Sequence, residues 1–167
     1  MRLFVAVDVG AVDAAAPAHL TLAFLGEVDP AELPRLADAL APLGADERPF
    51  ALALEGVGAF PSADRPRVVY RAVTDGRVEL ERLAGRVRAA LDAAGIAYDP
   101  TPFHPHATLF RVRGPVDRRR AAALLGGSIP APSAERGRVD AFRLKESVRS
   151  GGGVVHRTVT TFPLVAR

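Results

Sequence analysis

One four-residue pattern, His-x-Thr-Leu, occurs twice in this chain, as His19-Leu20-Thr21-Leu22 and, 87 positions later, as His106-Ala107-Thr108-Leu109. Two of the four histidines in the sequence open it. Read as a strand, the pattern alternates its side chains between two faces, so His and Thr share one face while Leu turns the other way. Each copy then offers an imidazole beside a hydroxyl, backed by core. Two such units facing each other make a cleft with two acid–base groups and two hydroxyl donors. That is a site for an anion, and its twofold character suits a bent, cyclic or in-line phosphoryl substrate. Either copy alone reads more readily as a strand with a satisfied surface or core histidine; the repetition argues against that bland alternative.

The surrounding chain supplies the elements such a cleft needs. Residues 1–8 read as a buried strand, because Asp8 interrupts the apolar start before it resembles a signal peptide. Pro30 opens a helix with Asp29 as N-cap and Leu33, Leu36, Ala37 and Leu40 on one stripe. Residues 50–57 and 67–73 read as strands around turn chemistry at 58–66. A helix over 77–94 carries Val78, Leu80, Leu83, Val87 and Leu91 and stops at Gly95. The second signature strand, 106–112, follows a proline-rich approach. A third helix begins at Pro115 and Val116 and runs to Leu125. Strands at 133–144 and 154–165 close the chain. Between them Ser150-Gly151-Gly152-Gly153 reads as a turn and not as a phosphate cradle, since no helix follows it. Residues 9–18, closed by Pro17, leave room for a loop or a single turn.

Signature strand, helix, strand, strand occurs after His19 and again after His106, a weak internal duplication. The expected fold is α+β, with two pseudo-symmetric lobes. Each is an antiparallel sheet backed by helices, and the signature strands meet across a central cleft. Residues 1–167 are expected to form one bilobal domain, because neither half alone buries both faces of its sheet.

No apolar run is long enough to span a bilayer, so the expectation is a cytoplasmic protein without a membrane partner. The absence of cysteine excludes disulfides, a cysteine nucleophile and a thiolate metal site. The basic side is almost entirely arginine, with Lys145 the one lysine. Arginine and a pI near 10.1 suit a phosphate-bearing partner, but a GC-rich genome explains the same composition, and a net charge of +3 decides little.

The stretches around the signatures resemble the 2H phosphoesterase superfamily, and within it the bacterial and archaeal RNA 2′,3′-cyclic phosphodiesterases, also called 2′-5′ RNA ligases. The resemblance is carried by Arg2-Leu3-Phe4-Val5-Ala6-Val7-Asp8, by His19-Leu20-Thr21-Leu22-Ala23-Phe24-Leu25-Gly26, and by Phe60-Pro61 with the strand through Tyr70. Pro102-Phe103-His104-Pro105-His106-Ala107-Thr108-Leu109-Phe110-Arg111 and Phe162-Pro163-Leu164 complete it, so it covers essentially the whole chain. Two departures stand out. Only about ten residues separate the first strand from the first signature, where the family usually carries a helix and a loop. His156 stands where tyrosine is frequent.

Hydrolysing a cyclic phosphodiester needs a water deprotonated on one side of phosphorus and a leaving oxygen protonated on the other. Two histidines suit both tasks near neutrality, and Thr21 and Thr108 would donate to the non-bridging oxygens. The scheme requires no metal and no cofactor. Residue chemistry leaves open which histidine is the acid. The resemblance implies His19 as proton donor to the leaving 3′ oxygen, His106 as proton acceptor from water, and a 2′-phosphate product. It also implies that Arg111 contacts the phosphate, although strict alternation puts it on the face opposite His106 and Thr108. Phe103 is a candidate for stacking a base, with core packing as the competing role; Tyr70 is equally ambiguous. Arg118, Arg119 and Arg120 read as a solvated face.

The partner implied is RNA ending in a 2′,3′-cyclic phosphate, handled by a monomer without an obligate protein partner. Rival readings are a zinc site built from His19, His104, His106 and His156, a non-catalytic module that binds RNA ends, and a 2H phosphodiesterase for cyclic nucleotides or ADP-ribose cyclic phosphate. Reverse 2′-5′ ligation of RNA is the same site run backwards.

Overall fold

A computed structural model describes residues 1–9, 19–114, 118–126, 135–151 and 153–166. The expected loop at 10–18 with Pro17, the helix opening at Pro115 and Val116, the first residues of the strand at 133, and Gly152 lie outside the described residues. The chain runs β1 (Arg2–Asp8), β2 (His19–Glu27), a 3-10 turn (Pro30–Glu32), α1 (Leu33–Asp46), β3 (Phe50–Phe60), β4 (Val68–Asp75), α2 (Arg77–Ala93), β5 (His106–Arg111), α3 (Arg118–Gly126), β6 (Glu135–Val139), β7 (Ala141–Ser150) and β8 (Gly153–Pro163).

The strands form two four-stranded sheets in the orders β2-β1-β7-β8 and β5-β4-β3-β6, every described pairing antiparallel. This is the expected α+β architecture of two lobes. Among the described residues each signature strand is the outer strand of its sheet, paired on one side only, and β2 and β5 approach each other.

Local chemistry explains the helices. Asp29 caps the first turn by accepting a hydrogen bond from the Ala31 amide at 2.9 Å, and Leu36, Leu40 and Leu43 then bury one stripe of α1. In α2 the buried stripe is Leu80, Leu83, Ala84, Val87 and Leu91. Val78 does not belong to it and is 70% exposed: at 100° per residue it points about half a turn away from Leu80 and Val87. Gly76 begins α2 with φ 75°, and a Cβ there would run into the Ala51 carbonyl, so only glycine fits the turn. The end of α1 is tied to α2 through Glu47, a buried carboxylate 2.9 Å from both Arg82 and Arg86.

One core joins the two sheets. Leu3, Val5, Leu20 and Leu22 of the first meet Leu52, Leu54 and Ala107 of the second, with Leu36, Leu40, Leu80 and Leu83 from the helices and Phe142 and Leu144 from β7. Phe142 stacks on Phe162, ring centroids 4.8 Å apart. Truncating any one of these leucines to alanine should cost about 2–5 kcal/mol.

Two expectations change. The strand read as 133–144 is two strands in different sheets: β6 pairs with β3, and after Asp140 the chain enters the first sheet as β7, between β1 and β8. Val139 and Ala141 are both buried, so the hydrophobic pattern continues across the switch and nothing in it marks a boundary. The duplicated element order holds along the chain, but the two halves exchange strands in space: β3 and β4, which follow the first signature, build the sheet of the second.

Candidate active site

The two signature strands share a feature that alternation alone does not predict. In β2, Thr21 pairs with Ala6 and Ala23 with Val5, leaving Leu22 as an extra residue. In β5, Thr108 pairs with Tyr70 and Phe110 with Val69, leaving Leu109 extra. Each copy therefore carries a β-bulge immediately after its threonine, and a bulge shifts side-chain parity by one. Beyond it, Phe24 joins the face of His19 and Thr21, and Arg111 joins the face of His106 and Thr108. This is how Arg111 reaches the cavity that strict alternation denied it. α2 and the segment that follows it support this stretch of β2 from outside: Arg88 Nε donates to the Leu22 carbonyl at 3.3 Å, and the Asp99 amide donates to the Phe24 carbonyl at 2.8 Å.

His19, Thr21, Thr108 and Arg111 all line one cavity of about 820 Å³ between the sheets, within the range of small-molecule sites. Phe4, Phe24, Lys145, Ser147 and His156 also border it, as do Arg2 and Arg149 toward one end. His106 stands one residue pair behind Thr108 and is not itself part of that lining. Phe103 is half-buried against the core and away from the cavity. Arg119 and Arg120 lie on α3, whose contact is with β3.

The settings of the two histidines differ. His19 lies against the ring of Phe4, centroids 5.1 Å apart, and edge-on to His156 at 4.8 Å. Ser147 Oγ holds His156 Nδ1 at 3.2 Å. Close by, Lys145 Nζ binds Asp8 at 2.5 Å, with Arg143 3.3 Å from the same carboxylate. Burial first, then the positive charges of His156 and Lys145, lower the His19 pKa from 6.5 to about 4, with Asp8 opposing and His106 adding a further depression.

His106 is enclosed by aromatic carbon. Phe60 meets it edge-on at 5.1 Å and Tyr70 at 5.3 Å, and Phe60 and Tyr70 stack on each other at 4.4 Å. Tyr70 lies directly over Gly58, where a Cβ would strike its ring. His106 Nδ1 lies 2.6 Å from the His104 carbonyl. A carbonyl only accepts, so Nδ1 carries the proton, and in the neutral ring Nε2 keeps its lone pair. Burial lowers the His106 pKa, the carbonyl contact opposes that, and the charges of His104 and Arg111 reinforce it.

Alternation along β1 and β7 places Arg2, Phe4, Lys145, Ser147 and Arg149 on the cavity face, but only the sheet order reveals it, because β7 arrives from the far end of the chain. Among the described residues no three His, Cys, Asp or Glu are gathered to hold a metal ion.

Residues 10–149 match the 2′-5′ RNA ligase superfamily. The chain is 35% identical over 143 residues to an RNA 2′,3′-cyclic phosphodiesterase of Aeropyrum pernix, covering 84% of this chain and 78% of the relative. It is 34% identical to one of Archaeoglobus fulgidus, covering 97% and 99%. Its fold superposes on Escherichia coli LigT complexed with 3′-AMP with a TM-score of 0.75 at 26% identity, covering 99% of this chain and 98% of that one. A Thermus thermophilus structure gives 0.74 at 28% identity, covering 98% of each.

Proposed function

Because the chain belongs to the 2′-5′ RNA ligase superfamily, we propose that it hydrolyses the 2′,3′-cyclic phosphate ends of RNA to 2′-phosphates, with His19 and His106 as acid and base. The observation that carries the reading is the paired, bulged His-x-Thr strands with both threonines on one cavity.

Water attacks phosphorus opposite the 3′ oxygen. The new bond is water oxygen to phosphorus, and the bond that breaks is phosphorus to O3′. His106 takes the water proton on Nε2, a role for which its Nδ1 contact to the His104 carbonyl prepares it. His19 gives its proton to O3′. Thr21 and Thr108 donate to the non-bridging oxygens, where negative charge grows in the transition state, and Arg111 adds its positive charge on the same side. No metal ion takes part in this scheme.

The low pKa of His19 has a consequence here. In the empty cavity the ring is neutral near pH 7, so the protonated acid forms only as the phosphate brings in its negative charge. Substrate anion and acid proton are therefore taken up together. Ligation onto a cyclic phosphate uses the same groups in the same direction with an RNA 5′-hydroxyl in place of water: O5′ bonds to phosphorus, the bond to O3′ breaks, His106 takes the 5′-hydroxyl proton and His19 gives its proton to O3′. The working unit is residues 1–167 as one bilobal monomer, acting in the cytoplasm without a cofactor.

An oligonucleotide ending in a 2′,3′-cyclic phosphate, incubated with EDTA, tests this. We expect turnover to a 2′-phosphate, reduced about 10²–10⁴-fold in each of His19→Ala and His106→Ala. Turnover abolished by EDTA would bring back a metal site. Tight binding of the cyclic end without turnover would leave an RNA-end-binding module.

A further inference from the structure

We propose that the Arg2–Arg149 end of the cavity is a second anion subsite, which takes the phosphodiester one nucleotide to the 5′ side of the cyclic end. The proposal rests on the phosphodiesterase reading above and specifies its substrate as a strand, not a lone nucleotide.

Charge is the first argument. A cyclic phosphodiester carries one negative charge, and the histidines, threonines and Arg111 already answer it. Yet the lining also holds Arg2 and Arg149 and, among the described residues, no carboxylate. Lys145 is paired with Asp8, a carboxylate it shares with Arg143. Neither Arg2 nor Arg149 makes an ion pair among the described residues, so two guanidinium charges face the cavity uncompensated.

Position is the second. His19 is in register with Asp8, but its ring reaches along β1 to Phe4, two residues from Arg2, so imidazole and guanidinium border neighbouring stretches of one cavity. Arg2 reaches back as far as Phe24, with its guanidinium carbon 5.0 Å from that ring. Phe24 stands opposite Phe4, whose ring is the one that touches His19. The guanidinium therefore lies one ring beyond the imidazole contact and serves a different phosphate. Arg149 approaches from β7, paired with Val154. Val154 and Val155 are 57% and 49% exposed, two of the few large apolar side chains left open, and both line this stretch. An apolar wall beside an unpaired arginine pair fits a nucleoside flanked by its phosphate. Arginine is the residue suited to holding a phosphate by two parallel hydrogen bonds.

The test compares two dinucleotides ending in a cyclic phosphate, one with an ordinary internal phosphodiester and one with an uncharged methylphosphonate there. In the wild-type protein kcat/KM should favour the charged linkage by roughly tenfold or more. In the Arg2→Gln/Arg149→Gln variant that ratio should fall toward one, and in Arg2→Lys/Arg149→Lys, which keeps both charges, most of it should survive. Each ratio is taken within one protein, so loss of folded enzyme does not imitate the result. A wild-type ratio near one, or a ratio the glutamines leave unchanged, overturns the subsite. Equilibrium titration of the two corresponding 2′-phosphate dinucleotides reads the same preference without turnover. A chain that hydrolyses neither substrate would refute the phosphodiesterase reading while still deciding the subsite.

Discussion

His19 and His106 begin two strands that match residue for residue through the bulge, yet one imidazole is surrounded by charge and the other by aromatic carbon. Around His19 stand His156 and the Lys145–Asp8 pair, with the Phe4 ring on one side. Around His106 stand Phe60 and Tyr70, with one backbone carbonyl fixing the ring nitrogen that carries the proton. The repeated backbone sets where the groups are, and the neighbouring strands set what each does. A charged setting makes protonation responsive to a bound anion. An aromatic setting with a single carbonyl holds one tautomer.

After the histidine losses given above, the largest effect should be the symmetric one. On the function proposed above, Thr21→Val and Thr108→Val each remove one donor to the non-bridging oxygens and should lower kcat about 10²–10³-fold, by similar factors. A loss confined to one of them in steady-state assays would break the equivalence of the two strands.

Acid sensitivity should belong chiefly to His19. Its folded pKa, about 4, lies below the unfolded 6.5, so between those values the unfolded chain binds more protons. The contribution is complete above pH 6.5 and is lost as pH falls toward 4, up to about 3 kcal/mol. Urea unfolding at pH 7 and pH 4.5 should show a smaller acid loss in His19→Gln than in the wild type; equal losses would refute this.

On the other side, Gly58→Ala should drive a methyl group into Tyr70 and cost about 1–3 kcal/mol of stability. Thermal unfolding would show it. If the aromatic wall matters only to His106, the pH dependence assigned to His19 should be unmoved.

The smallest effect sharpens the contrast most. His156→Gln removes a positive neighbour and should raise the His19 pKa, moving the alkaline limb of kcat/KM upward by less than about one unit. Lys145, Asp8 and His106 still face the ring, so the shift is partial. A downward shift would mean that His156 helps to hold the proton on His19.

Much of this was legible in the sequence because the relevant physics is local. The alternation at 1–8, the cap at Asp29 and the leucine stripe of α2 each specify an element without reference to the rest of the chain. The signature named the two histidines and two threonines, and its doubling implied a cleft. The bulges were not legible, since an extra residue in a strand is defined by the partner it fails to match. Arg111 was consequently placed on the wrong face by strict alternation. Arg2, Lys145 and Arg149 were invisible as a group because β1 and β7 are neighbours only in space. The break at Asp140 was hidden by burial on both sides of it.

That break also orders the events of synthesis. β3 to β6, the whole sheet of His106, lie within residues 50–139, so a growing chain can complete that sheet before the rest is made. β1 and β2 are made first but wait with one edge of β1 unpaired until β7 emerges to fill it. The half of the cleft holding the first histidine is thus the last to be built, and a chain cut short after residue 140 would carry the finished sheet of His106 beside a β1 with an exposed strand edge.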